Sequence, residues 1–326
     1  MSSNRNEDFQ RRLTKPLIWS VIAAAAIYGA SIVFGDFREI GNSISRLRVA
    51  DWLLILGLSL LNYGLRFVRW EIYLRRLDCR IPVVRSLAYY LAGFLFTTTP
   101  GKAGEAVRSL YLRKHGVAIP LSLAAFFTER FVDLVAMVVL ALGVAFAYPD
   151  YRWPVVATAT IILVLLPFVR ARSFHNVVAG RISVLRSEKM RTFGERLIEL
   201  LHSSSSLLRS GPLYSGLALA LLAWGAEGVA LSIILDQLGV SVSLALAVGI
   251  YSISALAGAL SFIPGGLGST EAIMVLLLTL VGADYATALS ATLVCRLATL
   301  WFAIGIGGLV VAGLEFDRAR QIENSM

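Results

Sequence analysis

The sequence predicts an all-α polytopic membrane protein with six full spans and two re-entrant helical hairpins arranged as an inverted repeat. Three observations predict this fold: the composition, long uninterrupted apolar segments, and a Pro-Gly motif that occurs twice. Of the 326 residues, 57% are hydrophobic and only 16% are charged, and the mean hydropathy is +0.73. Soluble domains contain a larger charged fraction, so this balance excludes an ordinary soluble enzyme and a disordered chain.

Six apolar segments are long enough to cross the membrane, since a hydrocarbon core of about 30 Å requires about 20 helical residues. These segments are Leu17–Phe34, Trp52–Tyr73, Val117–Tyr148, Trp153–Arg170, Pro212–Asp236 and Tyr285–Leu314. We interpret each of them as one transmembrane helix.

Two further apolar stretches run into Pro-Gly and continue as helices of about half the length of a crossing. Broken helices persist at membrane depth only where the freed backbone groups face protein or a wet cavity. We therefore interpret Leu87–His115 and Leu244–Val281 as re-entrant hairpins. Full crossings by these segments are the competing interpretation.

The basic residues support this topology. With six crossings and two hairpins, 24 of the 30 Lys and Arg residues lie on the side that holds both termini. Positive charge accumulates on the cytoplasmic side of membrane proteins, so both termini are expected in the cytoplasm, with the protein in the inner membrane of a prokaryote. The net charge of +9 is thus explained without nucleic acid.

The whole chain is predicted to form a single integral membrane domain. Repeat 1 covers about residues 83–148 and repeat 2 about residues 242–314, and a cytoplasmic amphipathic linker covers about residues 171–211. Within that linker, Arg181–His202 fits a helix lying on the bilayer surface, and Ser203–Ser206 reads as a short polar linker.

Metal and cofactor chemistry receives no support from the sequence. The chain has two Cys and three scattered His residues, too few and too dispersed for a typical structural metal site. No nucleophile–base pair is evident and no P-loop is present, so neither an enzyme nor an ATP-driven pump is expected.

The most informative feature is the internal repeat. In each copy a Glu follows a Pro-Gly break, a Gly follows the Glu after eleven residues, and an Arg follows it after twenty-five. The two sets are Pro100, Glu105, Gly116 and Arg130, and Pro264, Glu271, Gly282 and Arg296. Because three predicted crossings separate the copies, the second is expected to be inverted, a plan that recurs in transporters with the site at the repeat interface.

Charged groups near the middle of a span mark a candidate site, because each costs about 2.5–3.5 kcal/mol on insertion scales. Two structural alternatives stay open: an acid in the first turn favours the helix dipole, and a buried Glu–Arg clamp could fix each hairpin to the next span. The candidate substrate-binding residues are Asn62, Arg66, Lys102, Glu105, Arg108, Arg130, Asp133, Glu271 and Arg296. Glu227 is a candidate for proton coupling or for pairing with an Arg.

Other polar and small residues are assigned to the membrane interface or to packing. Basic residues at the cytoplasmic end of the second span are interpreted as snorkelling to headgroups, namely Arg69, Arg75 and Arg76. Small residues are interpreted as helix-packing contacts, namely Gly258, Ala259, Gly305 and Gly308.

In four stretches the chain resembles the lysylphosphatidylglycerol synthase/flippase transmembrane-region family, the membrane half of bacterial multiple peptide resistance factors and their stand-alone relatives. The matching stretches are Asn62–Arg69, Thr99–Leu112, Glu129–Asp133 and Ile263–Ala272. In fused members the membrane region is implicated in flipping aminoacylated phosphatidylglycerol, which a separate soluble domain makes. Because the 326 residues contain no comparable soluble segment, the resemblance implies a flippase-like protein and not a synthase.

The expected function is movement of an amphipathic lipid between leaflets, either a phospholipid, including an anionic or aminoacylated one, or a polyprenyl phosphate. Lys102, Arg108 and Arg130 would engage phosphate, because Arg can bind two of its oxygens at once, and Glu105 and Glu271 would pair with Arg or with a headgroup amine. The alternative is a non-transporting accessory subunit that presents a lipid-linked sugar to a membrane glycosyltransferase. Further possible partners are a second copy of the chain and a lipid synthase; nucleic acid is not expected.

Overall fold

The computed structural model describes residues 41, 45–147, 156, 159–160 and 188–323. Across these residues the secondary structure is helical, with no strand. Helices suit an apolar chain in lipid because they satisfy the backbone N–H and C=O groups within one segment. The predicted class, a helical multi-pass membrane protein, is confirmed at this level.

Within the described ranges we number ten α-helices. They are α1 (Val49–Arg76), α2 (Val83–Ala92), α3 (Arg108–Arg113), α4 (Ile119–Ala147), α5 (Glu188–Leu207), α6 (Ser210–Gln237), α7 (Leu244–Leu260), α8 (Ser269–Leu280), α9 (Tyr285–Arg296) and α10 (Phe302–Glu323). Three short 3-10 segments lie at Gly93–Phe96, Pro100–Val107 and Pro264–Gly266, and the π-helical turn Leu297–Trp301 joins α9 to α10.

Three helical stretches in the described part of the chain are long and apolar enough to cross a membrane: α1, α6 and Tyr285–Asp317. They coincide with three of the predicted spans. The 29-residue helix α4 occupies the position of a fourth. The predicted span Leu17–Phe34 lies outside the described residues, as does Trp153–Arg170 apart from three positions. The number of crossings and the inverted repeat remain predictions.

The helices pack into a continuous core. Helix α1 lies along α6, and α7 contacts α4, α6 and α8, while α5 packs on α4 and α10 packs on α2. Fully buried residues from these helices form the centre of the core, among them Ile55, Val132, Leu231, Ile250 and Met274. Lipid tails are as apolar as these side chains, so close van der Waals packing stabilises their association.

The two Pro-Gly turns, Pro100–Val107 and Pro264–Gly266, contact each other inside the helical bundle. Gly265 has a φ of 64°, and a Cβ built there would lie 3.4 Å from the Cα of Thr98. Glycine therefore suits both the left-handed backbone and the close approach. The sequence repeat thus brings its two breaks into one place, as expected if the site lies where the copies meet.

One predicted linker is helical instead. Helix α5 continues through Leu207, so the polar linker predicted at Ser203–Ser206 is wrong. The hydroxyl groups of Ser205 and Ser206 donate to the backbone carbonyls three residues earlier, each at 2.7 Å. Such bonds satisfy serine inside a helix. Composition alone had suggested a break, but packing against α4 buries Ser204 and Ser205.

Small residues do pack closely against neighbouring helices, as predicted, but not at every predicted position. A Cβ built on Gly305 meets nothing within 4 Å, whereas one on Gly307 would collide with the backbone of α2 and the segment after it. Gly308 lies at ordinary contact distance from Leu95, and a Cβ on Gly258 would collide with the Thr270 hydroxyl. The close approach of α10 is therefore at Gly307.

Candidate functional site

Helix α1 presents one polar face to the interior. Asn62, Arg66, Arg69 and Tyr73 follow helical spacing, and at most 5% of each residue is exposed. The side-chain amide of Asn62 donates to the carbonyl of Ala223 at 2.8 Å, which ties this face to α6. Two guanidinium groups are thereby held inside the bundle, where each needs a counter-charge.

The snorkelling interpretation of Arg69 is wrong. Its side chain is fully buried, and its Nη2 lies 2.7 Å from Asp133 Oδ1 and 3.8 Å from Glu129 Oε1. Arg75, two turns further along α1, has a 67% exposed side chain and remains compatible with the interface. The difference is that Arg69 faces α4, where two carboxylates lie.

Asp133 on α4 is in close contact with three side chains. In addition to Arg69, Trp224 donates its indole N–H to Oδ1 at 2.9 Å, and Arg130 Nη2 lies 3.1 Å from Oδ2. Arg130 and Asp133 are three positions apart on α4, so the two side chains lie on one face of the helix and form an ion pair. Asp133 positions two arginines, one from α1 and one from its own helix.

Glu105 lies in the first Pro-Gly turn and is 2% exposed. The Thr97 hydroxyl donates to its Oε1 at 3.0 Å. Three guanidinium groups approach Oε2: Nη2 of Arg108 at 3.6 Å, of Arg130 at 3.8 Å and of Arg66 at 4.0 Å. Each distance exceeds the 2.7–2.9 Å of a tight charge-assisted hydrogen bond.

The guanidinium of Arg108 is held by a carboxylate and by three aromatic rings. Its Nη2 lies 2.8 Å from Glu129 Oε2, and its guanidinium carbon lies 4.3, 4.8 and 5.2 Å from the ring centres of Trp70, Tyr90 and Phe126. An aromatic cage with a carboxylate holds a guanidinium firmly. We conclude that Arg108 fixes the turn to α1, α2 and α4.

The second copy contains a closed clamp. Arg296 Nε lies 2.6 Å from Glu271 Oε1, and its Nη2 donates to the carbonyl of Gly265 at 2.8 Å. The other oxygen of Glu271 accepts from the backbone N–H of Gly268 at 2.7 Å, as an acid in the first turn of α8 can. Glu271 therefore does both things that the structural alternatives predicted. It lies in the first turn of α8, where an acid is favourable, and it forms the Glu–Arg clamp to the next helix.

A cavity of about 300 Å³ lies between the two Pro-Gly turns. Helices α1, α4, α6 and α7 and the α9–α10 stretch contribute to its wall. The candidate residues that line it are Asn62, Arg66, Glu105, Arg130, Asp133, Glu227 and Arg296. Seven of the predicted residues, from both copies of the repeat, thus meet at one hollow.

Two predicted residues lie elsewhere, and one cannot be placed. Arg108 does not line this cavity, and Glu271 faces a second, mainly apolar cavity of about 520 Å³ beside α8 and α9. The side chain of Lys102 lies outside the described residues.

Arg66 lines the cavity and is 5% exposed. Its Nε and Nη2 have no hydrogen-bond partner among the described residues. The guanidinium instead lies over the rings of Phe94 and Trp224, 5.7 and 5.3 Å from their centres. A buried N–H without an acceptor is costly, and an anion in the cavity would supply one.

Glu227 is a second buried acid of the cavity, 2% exposed at the middle of α6. The Ser59 hydroxyl donates to its Oε2 at 3.4 Å. Tyr63 and Tyr251 line the same wall. This buried position is compatible with proton coupling and with pairing to an arginine, the two interpretations made from the sequence.

One side of the cavity is apolar. Leu260, Phe262 and Ile263 line it at the end of α7, and Phe262 is 71% exposed and Ile263 43% exposed. Phe262 also has a φ of 53°, which is strained for a residue other than glycine. The cavity therefore combines charged side chains in its interior with exposed apolar side chains, Phe262 and Ile263, at its edge.

Sequence reasoning missed several residues of this network. Glu129 and Arg69 were visible as members of polar helix faces, since α1 carries its polar residues at helical spacing. Trp224 and Tyr63 gave no comparable signal, because an indole or phenol in an apolar span resembles ordinary core. In the described part of the chain, no group of three or more His, Cys, Asp or Glu side chains is arranged to hold a metal ion.

The fold and the buried polar cavity define the class: a helical multi-pass membrane protein with an interior ionic site. The chain belongs to the family described as the lysylphosphatidylglycerol synthase TM region, which residues 20–307 match. It is also similar to two UPF0104 membrane proteins of Methanothermobacter thermautotrophicus. One is 24% identical, covering 90% of this chain and 94% of the relative, and the other is 28% identical, covering 85% and 89%. A UPF0104 membrane protein of Pyrococcus horikoshii is 25% identical over 75% of this chain and 81% of its own length.

Proposed function

We propose that the protein is a flippase-like transporter that moves an amphipathic phosphate-bearing lipid, a phospholipid or a polyprenyl phosphate, between the two leaflets. One observation carries the proposal: a cavity inside a membrane helix bundle is lined by buried guanidinium groups and opens beside exposed apolar side chains. The family to which the chain belongs is named after an enzyme that makes a membrane lipid, lysylphosphatidylglycerol, and this supports a lipid substrate.

The headgroup phosphate would bind to Arg66 and Arg130. Both line the cavity, and Arg66 offers two buried N–H groups that lack acceptors among the described residues. Planar guanidinium groups match phosphate because each can donate to two oxygens. Arg108, held by Glu129 and three aromatic rings, would maintain the turn without touching the lipid.

The tails would remain in the bilayer beside Phe262 and Ile263 while the headgroup passes through the bundle. Burying one charged group in the cavity and leaving the hydrocarbon outside avoids moving a bare phosphate through the membrane core, which is costly. The two Pro-Gly turns, if oppositely inserted as the repeat predicts, would open the cavity to each leaflet in turn. We place both termini in the cytoplasm.

The test is leaflet exchange in liposomes that contain the purified full-length protein and fluorescent phosphatidylglycerol, phosphatidylethanolamine or a short polyprenyl phosphate. We expect faster exchange than in protein-free liposomes for at least one of these lipids, and loss of that exchange in Arg66→Met. Arg75→Met is the matched control, because Arg75 is on the same helix but two-thirds exposed.

Exchange equal to that of protein-free liposomes for every lipid and ion gradient would contradict transport. Stable capture of a lipid-linked sugar without exchange would favour the accessory role, in which the protein presents that lipid to a glycosyltransferase. Exchange that survives Arg66→Met would contradict the assignment of the phosphate site.

A further inference from the structure

We infer that the cavity binds a zwitterionic headgroup of the ethanolamine type, with the phosphate at Arg66 and the primary ammonium group between Asn62 and Glu227. The inference rests on the proposed function and selects one class of lipid among those that the proposal admits. The ligand is a phosphodiester whose amine lies two carbon atoms beyond a phosphate oxygen.

Asn62 carries a buried acceptor that lacks a donor. The residue is 1% exposed and lines the cavity, and its Nδ2 donates to the carbonyl of Ala223 at 2.8 Å. A backbone carbonyl only accepts, so this bond fixes which end of the amide faces α6. The other end, Oδ1, has no hydrogen-bond partner among the described residues. A ligand that donates an N–H group to Oδ1 would remove the cost of leaving it unpaired.

Arg66 has the opposite requirement, one helical turn further along α1. Its Nε and Nη2 lack acceptors in the described part of the chain, and Glu105 Oε2 is 4.0 Å from Nη2, beyond hydrogen-bond distance. Residues four positions apart lie on one helix face, with Cβ atoms about 5–6 Å apart. An acceptor and two donors therefore face the same cavity from adjacent turns. A ligand that satisfies both residues carries an anion and an N–H donor a short distance apart.

Glu227 adds a carboxyl group on the facing helix, α6. It is 2% exposed and lines the same cavity, and the Ser59 hydroxyl donates to its Oε2 at 3.4 Å. Ser59 lies three positions before Asn62, and Ala223 lies four positions before Glu227, so the two contacts between α1 and α6 are adjacent. A carboxylate has about four acceptor sites, so it can hold an ammonium group in addition to its existing contacts.

The charges that line the cavity favour a headgroup without net charge. Among the described residues of the wall, arginines and acids are equal in number: Arg66, Arg130 and Arg296, and Glu105, Asp133 and Glu227. In their ordinary charge states these groups sum to zero. A bound anion alone would leave the buried site with excess negative charge, which is costly in an apolar surrounding. A zwitterion leaves the balance unchanged.

The spacing favours ethanolamine over other amines. In phosphoethanolamine, two carbon atoms join the phosphate oxygen to the nitrogen, a short link that suits one helical turn between Arg66 and Asn62. In an aminoacylated phosphatidylglycerol the amine lies beyond a glycerol and an ester group, so a phosphate held at Arg66 would place that amine past Asn62. Choline carries the charge but has no N–H group to donate to Oδ1.

The experiment is calorimetric titration of the purified full-length protein in detergent with short-chain lipids, with protein-free micelles as the blank. The probes are the dihexanoyl forms of phosphatidylethanolamine, phosphatidylcholine, phosphatidylglycerol and N-acetylated phosphatidylethanolamine. We expect the Kd for phosphatidylethanolamine to be lower than each of the others by roughly tenfold or more, because each of the others loses a hydrogen bond that involves a charged group. Phosphatidylcholine tests the N–H donor, and the acetylated lipid tests the positive charge.

Glu227→Gln and Asn62→Leu should each reduce the preference for phosphatidylethanolamine over phosphatidylglycerol. Asp236→Asn is the matched control and should retain the preference, because Asp236 is exposed at the end of the same helix as Glu227. A ratio of two affinities in one protein does not respond to a loss of stability, so a merely structural role would leave it unchanged. If Asn62→Leu does not fold, Glu227→Gln and the four lipids with the native protein still decide.

Equal affinities of the native protein for phosphatidylethanolamine and phosphatidylglycerol would overturn the inference. So would a preference that persists in both Glu227→Gln and Asn62→Leu, or one that is lost only in Glu105→Gln, which would place the amine at Glu105. Tighter binding of lysylphosphatidylglycerol than of phosphatidylethanolamine would contradict the short spacing. Glycerophosphoethanolamine has no tails, and equally tight binding of it would make the ligand a soluble phosphoethanolamine and not a lipid.

The outcomes separate this inference from the proposed function. Selective binding of phosphatidylethanolamine without leaflet exchange in liposomes would contradict transport and leave the headgroup assignment intact. Leaflet exchange of phosphatidylglycerol or a polyprenyl phosphate as fast as that of phosphatidylethanolamine would contradict the inference alone. Absence of binding by all four short-chain lipids would overturn the phosphate site itself.

Discussion

Glu271 and Arg296 are in contact, with 2.6 Å between Oε1 and Nε, whereas Glu105 and Arg130 are 3.8 Å apart although the same twenty-five positions separate them. The repeated sequence therefore gives two different arrangements. The second copy is a closed clamp between a turn and the following helix. In the first copy the acid stands among several arginines beside the cavity.

Glu271→Gln should destabilise the protein more than Glu105→Gln. The first change removes a close charge-assisted bond and leaves the 9% exposed Arg296 with a weaker partner, which costs about 1–3 kcal/mol. The second change removes the charge from ion pairs of 3.6–4.0 Å, while the amide oxygen of Gln can still accept the hydrogen bond from the Thr97 hydroxyl. Thermal unfolding in detergent gives the comparison, and equal losses of stability would contradict the distinction between clamp and site.

Arg69→Met should be among the most damaging single substitutions. Arg69 is fully buried and contacts Asp133 and Glu129. Removing one partner of a buried ion pair leaves charge uncompensated and costs about 3 kcal/mol or more. Arg75→Met is the control and should change stability by less than about 0.5 kcal/mol, because Arg75 is exposed. A similar melting temperature for both variants would argue against the buried network.

The sequence could predict the polar network in outline. Helical spacing placed Asn62 and Arg66 on one face of α1, and the shared offset predicted the contact of Glu271 with Arg296, one of the alternatives that the repeat left open. Both signals are local or periodic, so a single sequence can contain them. The membrane class followed from composition in the same way.

The remaining features depend on which helices meet, and this is why the sequence did not reveal them. Arg69 near the end of a span is equally consistent with snorkelling and with burial until Asp133 of α4 is placed opposite it. Arg108 looked like a phosphate ligand because its partners, Glu129 and the three aromatic rings, come from other helices. Long-range packing determines both outcomes.

Gly307→Ala should destabilise the protein, whereas Gly305→Ala should not. A Cβ at position 307 would come within 3.0 Å of the Leu91 carbonyl oxygen and closer still to the Leu95 nitrogen. Overpacking of this kind costs about 1–3 kcal/mol. A Cβ at position 305 meets nothing within 4 Å, and alanine favours a helix over glycine. Melting temperatures of the two variants test the helix contact directly; a neutral Gly307→Ala would disprove it.

Tyr63→Phe should loosen the junction of α9 and α10. The Tyr63 hydroxyl donates to the Thr299 carbonyl at 2.6 Å, and Thr299 belongs to the π-helical turn that follows Arg296. Loss of one buried hydrogen bond costs about 0.5–1.5 kcal/mol. We expect a lower melting temperature and faster amide hydrogen exchange at 297–301. Tyr214→Phe, at a 68% exposed position, should change neither quantity.

Arg66→Lys and Arg108→Lys should separate binding from scaffolding, because both substitutions keep the charge and remove the guanidinium plane. Arg66 lines the cavity, so its replacement should slow lipid exchange by roughly tenfold or more, the equivalent of a lost hydrogen bond to a charged group. Its loss of stability should be smaller than that of Arg108→Lys, because the Arg66 guanidinium lies over two rings at 5.3 and 5.7 Å. Arg108 is enclosed by Trp70, Tyr90 and Phe126, and losing that stacking should cost about 1–2 kcal/mol of stability. At temperatures well below unfolding, Arg108→Lys should still exchange lipid faster than Arg66→Lys. The reverse order of exchange rates would mean that Arg108, and not Arg66, contacts the phosphate.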